Sequence, residues 1–167
     1  MLTAPHMSYF SMVLPPYLNR CCIADTLVRS GAQVTIASVE PGSLTVTCSR
    51  GIKIVADKAI EDCEGTDWDM VVCPGGMPGA ERLRDSDALT RILTTQRNSG
   101  SWLGAVCAAP AVVLQYHGLL NEHATCYPAP KFTDALGPKL VSPPCVTLCA
   151  LILCFTQRST YLRSVIY

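Results

Sequence analysis

The chain has 167 residues, the size of one domain, and 49% of them are hydrophobic against 16% charged, which excludes intrinsic disorder over most of its length. Thirteen basic residues balance thirteen acidic ones, which argues against a nucleic-acid binder built on a basic surface. No apolar run reaches the roughly 18 residues of a membrane span, and ten cysteines fall short of the roughly 8–10% that marks a disulfide scaffold. Residues 1–10 lack the basic start of a secretory signal, so the cysteines are expected to be thiols in a reducing compartment, the cytoplasm, with an organelle left as the alternative.

Taken in chain order, residues 1–20 show no clear periodicity and carry Pro15 and Pro16. Cys22, Ile23 and Leu27, with Ala24 and Val28 beside them, predict an apolar helix stripe, with Asp25 and Arg29 paired four apart on another side. Gly31 fits the position just past that helix. Residues 33–39 read as a strand turned by Pro41 and Gly42, and residues 45–48 and 52–56 as a hairpin about Arg50 and Gly51. The continuously apolar residues 70–73 predict a strand buried on both faces. A helix is expected over residues 86–98, capped near Ser86, with Leu89, Ile92 and Leu93 inward and Gly100 as its stop. Residues 102–106 form the next strand, residues 109–117 a helix with Pro110 in its first turn, and residues 124–127 a further strand. Strands alternating with helices imply a mostly parallel sheet covered on both sides.

The residue richest in chemistry is Cys107. A strand ends there, a helix begins almost at once, and the small residues of GAVCAAPA (104–111) allow a sharp turn, the logic of a nucleophile elbow. A thiol at the start of a helix is favoured as thiolate. The residues alone leave a buried structural cysteine equally open, since cysteine is among the most buried types. The segment PGGMPG (74–79), directly after a strand, allows close backbone approach to a bound group, or makes a plain strand-to-helix turn. Both segments are expected to converge at the C-terminal edge of one parallel sheet, where open α/β folds bind ligands. Cys21 and Cys22 sit on a helix with no histidine near in sequence, and Cys145, Cys149 and Cys154 lack a further ligand set, so no metal site is expected. His117 and His123 are read as surface residues.

VVCPGGMPGA (71–80), GAVCAAPA (104–111), ATCYP (124–128) and GAQVTIAS (31–38) together resemble the DJ-1/ThiJ/PfpI family, in order and in spacing, over about residues 21–137. The resemblance implies a single domain over residues 1–167 with a flavodoxin-like α/β fold, a three-layer sandwich with a mostly parallel sheet, and a homodimer. It implies an oxidisable elbow cysteine, Cys107, and a pocket of Gly75, Gly76, Ala108 and Tyr127 that holds an oxyanion. It implies no cofactor; that no nucleic acid and no membrane are expected as partners follows from the balanced charge and the short apolar runs. The associated chemistry is of glyoxalase or deglycase type on small reactive carbonyls, together with protection against oxidative stress. Three departures accompany it, the first being Tyr127 at a position the family often gives to histidine, although the Cys-Tyr-Pro form also fits one branch. Counting back from Asp25 and Gly31, the family's glutamate position falls on Asn19, and PPYLNR (15–20) holds no carboxylate. Residues 138–167, with Pro143 and Pro144, also differ from the family pattern, so the sandwich is expected to be incomplete at both ends, through a truncated or misread gene or through divergence.

Two functions follow. One is a cysteine-dependent enzyme or redox sensor acting on reactive carbonyls through Cys107. The other is a catalytically impaired member that keeps the core and a redox-active thiol, and binds partners instead. Asparagine at position 19 can donate a hydrogen bond but cannot serve as a carboxylate base, which keeps both open.

Overall fold

The structure, a computed structural model, describes residues 8–12, 19–48, 51–120 and 123–141, with only the backbone of residues 8–12 and 19–22. In chain order the elements are β1 (Ser8–Met12), α1 (Asn19–Arg29), β2 (Gln33–Ser38), β3 (Thr45–Thr47), β4 (Lys53–Val55), β5 (Lys58–Ala59), β6 (Met70–Cys73), α2 (Gly79–Arg84), α3 (Asp87–Ser99), β7 (Trp102–Ala105), a π-helical segment Pro110–Gln115, and α4 (Pro130–Leu136). Five strands make one sheet in the order β5-β2-β1-β6-β7, every pair in it parallel, and β3 and β4 form a separate antiparallel hairpin. The chain fills one side of β1 and then crosses to the other. That order is consistent with a flavodoxin-like α/β fold, whose ligands bind beyond the carboxyl ends of the strands.

Strand alternation divides the core in two. Val71 and Cys73 of β6, with Leu103 and Ala105 of β7, face a large cluster that takes in Leu83 of α2, Leu89 and Leu93 of α3, and Leu114. Met70 and Val72 face the other side, against Ile23 and Leu27 of α1 and Val106. Each fully buried leucine contributes about 1.5–3 kcal/mol relative to an exposed one. The sheet is therefore covered on both faces, as the alternation of helices and strands predicts.

Helix α3 follows its sequence signals closely. Ser86 is extended and its side chain accepts a hydrogen bond from the Leu89 amide at 3.3 Å, and Gly100 ends the helix at φ 73°. Such a cap is worth about 1 kcal/mol. Buried Gln96 ties the same helix to the sheet, since its side-chain amide donates to the Trp68 carbonyl at 2.7 Å and to the Trp102 carbonyl at 3.2 Å.

Four expectations need correction. Residues 8–12, which show no periodicity, form β1 and pair with both β2 and β6. A strand in the middle of a parallel sheet carries no in–out alternation to read. Residues 124–127 are not a strand: Ala124 makes a single bridge to Leu140, and the Tyr127 amide turns instead to the Cys107 carbonyl at 2.8 Å. Pro128 contributes to that break, because it restricts the residue before it and has no amide to continue a ladder. The helix expected over residues 109–117 is π-helical over Pro110–Gln115, with turns on either side. His117 is half-buried, its Nε2 2.8 Å from the Arg84 carbonyl and 3.4 Å from Thr90 Oγ1, so it braces α2 against α3. His123 is exposed, as expected. The readings of Cys145, Cys149 and Cys154 fall outside the described residues.

Candidate active site

Strands β6 and β7 run side by side in register, Met70 opposite Trp102 and Cys73 opposite Ala105, so the segments that follow them leave the same edge of the sheet. The Val106 amide donates to the Cys73 carbonyl at 3.1 Å and carries the pairing one residue further. The chain then reverses at Cys107, whose φ is 60°. Among the described residues it is the one non-glycine residue with positive φ. An L-residue there costs on the order of 1–3 kcal/mol and persists only where its surroundings enforce it.

Those surroundings are visible. A Cβ built on Gly75 would lie 2.3 Å from the Cys107 Cβ, 2.5 Å from the Val106 carbonyl oxygen and 2.9 Å from the Ala108 nitrogen. No side chain fits at position 75 while Cys107 holds this turn. Gly76 next to it adopts φ 100°, which glycine alone takes readily. Behind the turn, Ala108 is 1% exposed, and the Tyr127 amide fixes the Cys107 carbonyl. The Tyr127 ring is 51% exposed and stands edge-on to Phe132, with centroids 6.3 Å apart, so an aromatic face borders the site. Cys107 itself is half-buried, open enough for a small molecule to reach it.

The other buried thiols are held neutral. Cys73 is fully buried, and burial pushes it from the ordinary 9.0 up to about 12. Burial likewise takes Cys63 to about 11, and its thiol donates to the Ala59 carbonyl at 3.4 Å. Cys126 is also raised, first by burial and then by the charge of Cys107 beside it.

The residues singled out in the sequence thus meet: Gly75, Gly76, Cys107, Ala108 and Tyr127 occupy one corner at the ends of β6 and β7. Asn19 is the first residue of α1, and its side chain lies outside the described part of the structure. Among the described residues no group of three or more His, Cys, Asp or Glu is placed to hold a metal ion. Sequence reasoning missed Cys126. Its signal was the adjacency to Tyr127 in ATCYP, which becomes meaningful only once the Tyr127 amide is seen to bond Cys107.

Comparison with known proteins bears on the chain as a whole. The DJ-1/PfpI family model matches residues 19–152. Protein DJ-1 homolog B of Arabidopsis thaliana is 42% identical over 120 residues, which are 70% of this chain and 27% of that protein. The glutathione-independent glyoxalase DJR-1.2 of Caenorhabditis elegans is 41% identical over 105 residues, 62% of this chain and 53% of that protein. The matched segment therefore spans about a quarter to a half of these relatives' own length. Among solved structures, oxidized DJ-1 of Toxoplasma gondii matches with a TM-score of 0.71 and 45% identity, over 77% of this chain and 70% of that one. The family match over most of the chain, the likeness to these relatives and the shared fold lead to one conclusion: this chain belongs to the DJ-1/PfpI family.

Proposed function

We propose that the chain is a cysteine-dependent protein that acts on small reactive carbonyls, in the manner of a cofactor-independent glyoxalase or deglycase, and that the same thiol responds to oxidative stress. The observation that carries this reading is the Cys107 turn, a strained, half-exposed thiol seated against Gly75. Strain of this kind concentrates at functional sites. Membership of a family associated with redox and carbonyl chemistry supports it, as does the glyoxalase named among the relatives.

In this reading the Cys107 thiolate adds to an aldehyde carbon. A carbon–sulfur bond forms, and the carbonyl electron pair moves to oxygen. The backbone at Gly75, Gly76 and Ala108 stabilises that oxyanion, and the exposed Tyr127 ring borders the substrate. Where the neighbouring carbon is itself a carbonyl, as in methylglyoxal, the former aldehyde carbon gives up its proton and is oxidised to a thioester, while the neighbour takes a proton on carbon and one on oxygen and is reduced to a hydroxyl; water then releases the 2-hydroxy acid and restores the thiol. The proton transfer needs a base. At the family's glutamate position stands Asn19, which cannot supply one. That residue favours a second reading, a catalytically impaired member that retains redox or partner-binding functions.

Consumption of methylglyoxal by purified protein, with metal and glutathione omitted, separates the two. Loss of a general base commonly costs about 10²–10⁴-fold in rate, so the unmodified chain turns over slowly and Asn19→Glu raises the rate by about 10²-fold or more. Cys107→Ser removes activity in both backgrounds. Activity that survives Cys107→Ser overturns the reading. No gain from Asn19→Glu in a folded protein, checked by circular dichroism, favours the impaired member.

A further inference from the structure

We propose that Cys107 and Cys126 form a redox pair, in which Cys126 captures the sulfenic acid that a hydroperoxide leaves on Cys107 and closes a reversible disulfide. The proposal rests on the reading of Cys107 as the oxidisable thiol and assigns it a partner.

Four observations carry it. The Tyr127 amide donates to the Cys107 carbonyl at 2.8 Å, so the residue after Cys126 is bonded directly to Cys107. With ordinary backbone dimensions, that bond places the two Cα atoms on the scale of the roughly 4.4–6.8 Å that a disulfide spans. Both residues border the same apolar cluster, Cys126 within it and Cys107 against it. Their exposures are complementary, since Cys107 is half-buried and open to a small oxidant while Cys126 is 6% exposed and shielded from one. Finally, the charge of Cys107 is felt at Cys126, whereas at Cys73 burial alone acts. Cys73 ends the neighbouring strand, but its register partner is Ala105, two residues before Cys107.

The chemistry balances. The Cys107 thiolate attacks one oxygen of the hydroperoxide; a sulfur–oxygen bond forms, the oxygen–oxygen bond breaks, and the departing oxygen takes a proton to leave as water or alcohol. The Cys107 sulfur is oxidised to sulfenic acid and the peroxide is reduced. Cys126 then attacks that sulfur; a sulfur–sulfur bond forms, the sulfur–oxygen bond breaks, and the hydroxyl leaves as water with the Cys126 proton. The disulfide spares Cys107 the irreversible step to sulfinic acid.

The test treats the full chain with dilute hydrogen peroxide and maps peptides by mass spectrometry, with and without dithiothreitol. The unmodified chain yields a Cys107–Cys126 linked peptide, short by two hydrogens, which dithiothreitol separates. Cys126→Ser and Cys126→Ala lack it and accumulate Cys107 sulfinic acid under the same dose. Sulfinic acid on Cys107 of the unmodified chain with no linked peptide overturns the pair and leaves the carbonyl reading standing. Cys107 unoxidised in all three proteins overturns the pair and the oxidative-stress part of the reading, while the carbonyl chemistry is decided by the methylglyoxal assay. The linked peptide is read in the unmodified chain, so the result stands whether or not either variant folds.

Discussion

Cys73 closes β6, and Cys107 follows β7 by two residues. The two strands are hydrogen-bonded neighbours, yet the cysteines at their ends are held in opposite ways. Cys73 keeps the strand conformation, points into the larger core cluster, has no exposed surface, and is pushed to about 12. Cys107 is turned out of the strand direction at φ 60° and left half-buried. One position beyond the end of the ladder separates an inert core thiol from an accessible one. The cause is the backbone: the Val106 amide is still tied to the Cys73 carbonyl, and the Tyr127 amide holds the Cys107 carbonyl after the turn. Residue type says little about reactivity here, and the backbone around each sulfur decides it.

The contrast breaks most completely if position 75 acquires a side chain. In Gly75→Ala the new Cβ needs the space 2.3 Å from the Cys107 Cβ and 2.5 Å from the Val106 carbonyl oxygen, and neither neighbour is a flexible side-chain tip. The turn has to move. The expected result is loss of Cys107 reactivity and of methylglyoxal consumption, with about 1–3 kcal/mol lost from stability, measured by urea unfolding. Cys73→Ala, by comparison, leaves a small cavity and retains the reactive thiol.

A change at alkaline pH comes next, to which Cys63 and Cys73 both contribute, Cys73 to the higher pH. A thiol whose folded value is raised holds its proton in the native state after the unfolded chain has lost it. Its stabilising effect is therefore full below the ordinary thiol value of 9.0 and fades as pH rises toward about 12. Within that window the slope for one thiol approaches about 1.4 kcal/mol per pH unit. Unfolding curves for the unmodified chain and Cys73→Ala across the window should diverge in slope, while Cys107→Ala leaves the slope due to Cys73 in place.

The smallest effect sharpens the role of strain. At φ 60° alanine is strained as cysteine is, whereas glycine is not. Cys107→Gly should therefore be more stable than Cys107→Ala by about 1 kcal/mol, with both variants inactive. Equal thermal midpoints would show that the turn stores no strain.

Much of this corner was legible in the sequence because its signals are local. The four apolar residues of β6 are wholly buried, as a strand covered on both faces requires. Ser86 and Gly100 bracket α3 through a side-chain oxygen and a left-handed backbone, and both are properties of the residue itself. Small residues around Cys107 and glycines at 75 and 76 signalled a tight turn and a close approach. What escaped were features that exist only through partners distant in sequence. Strand β1 is defined by pairing on both its edges, and its residues carry no alternation to announce it. The segment after Ala124 reads as a strand by composition, but its Tyr127 amide is spent on Cys107, a bond that no local pattern encodes. Cys126 was passed over for the same reason.

The central claim is that the turn after β7, and no general property of the cysteines, selects the reactive thiol. Limiting iodoacetamide at neutral pH, followed by peptide mass spectrometry of all ten cysteines, tests it most directly. The account predicts that label appears first on Cys107, with Cys63, Cys73 and Cys126 untouched until the protein unfolds. Label spread evenly over the cysteines of the folded chain, or reaching Cys73 before Cys107, would contradict it.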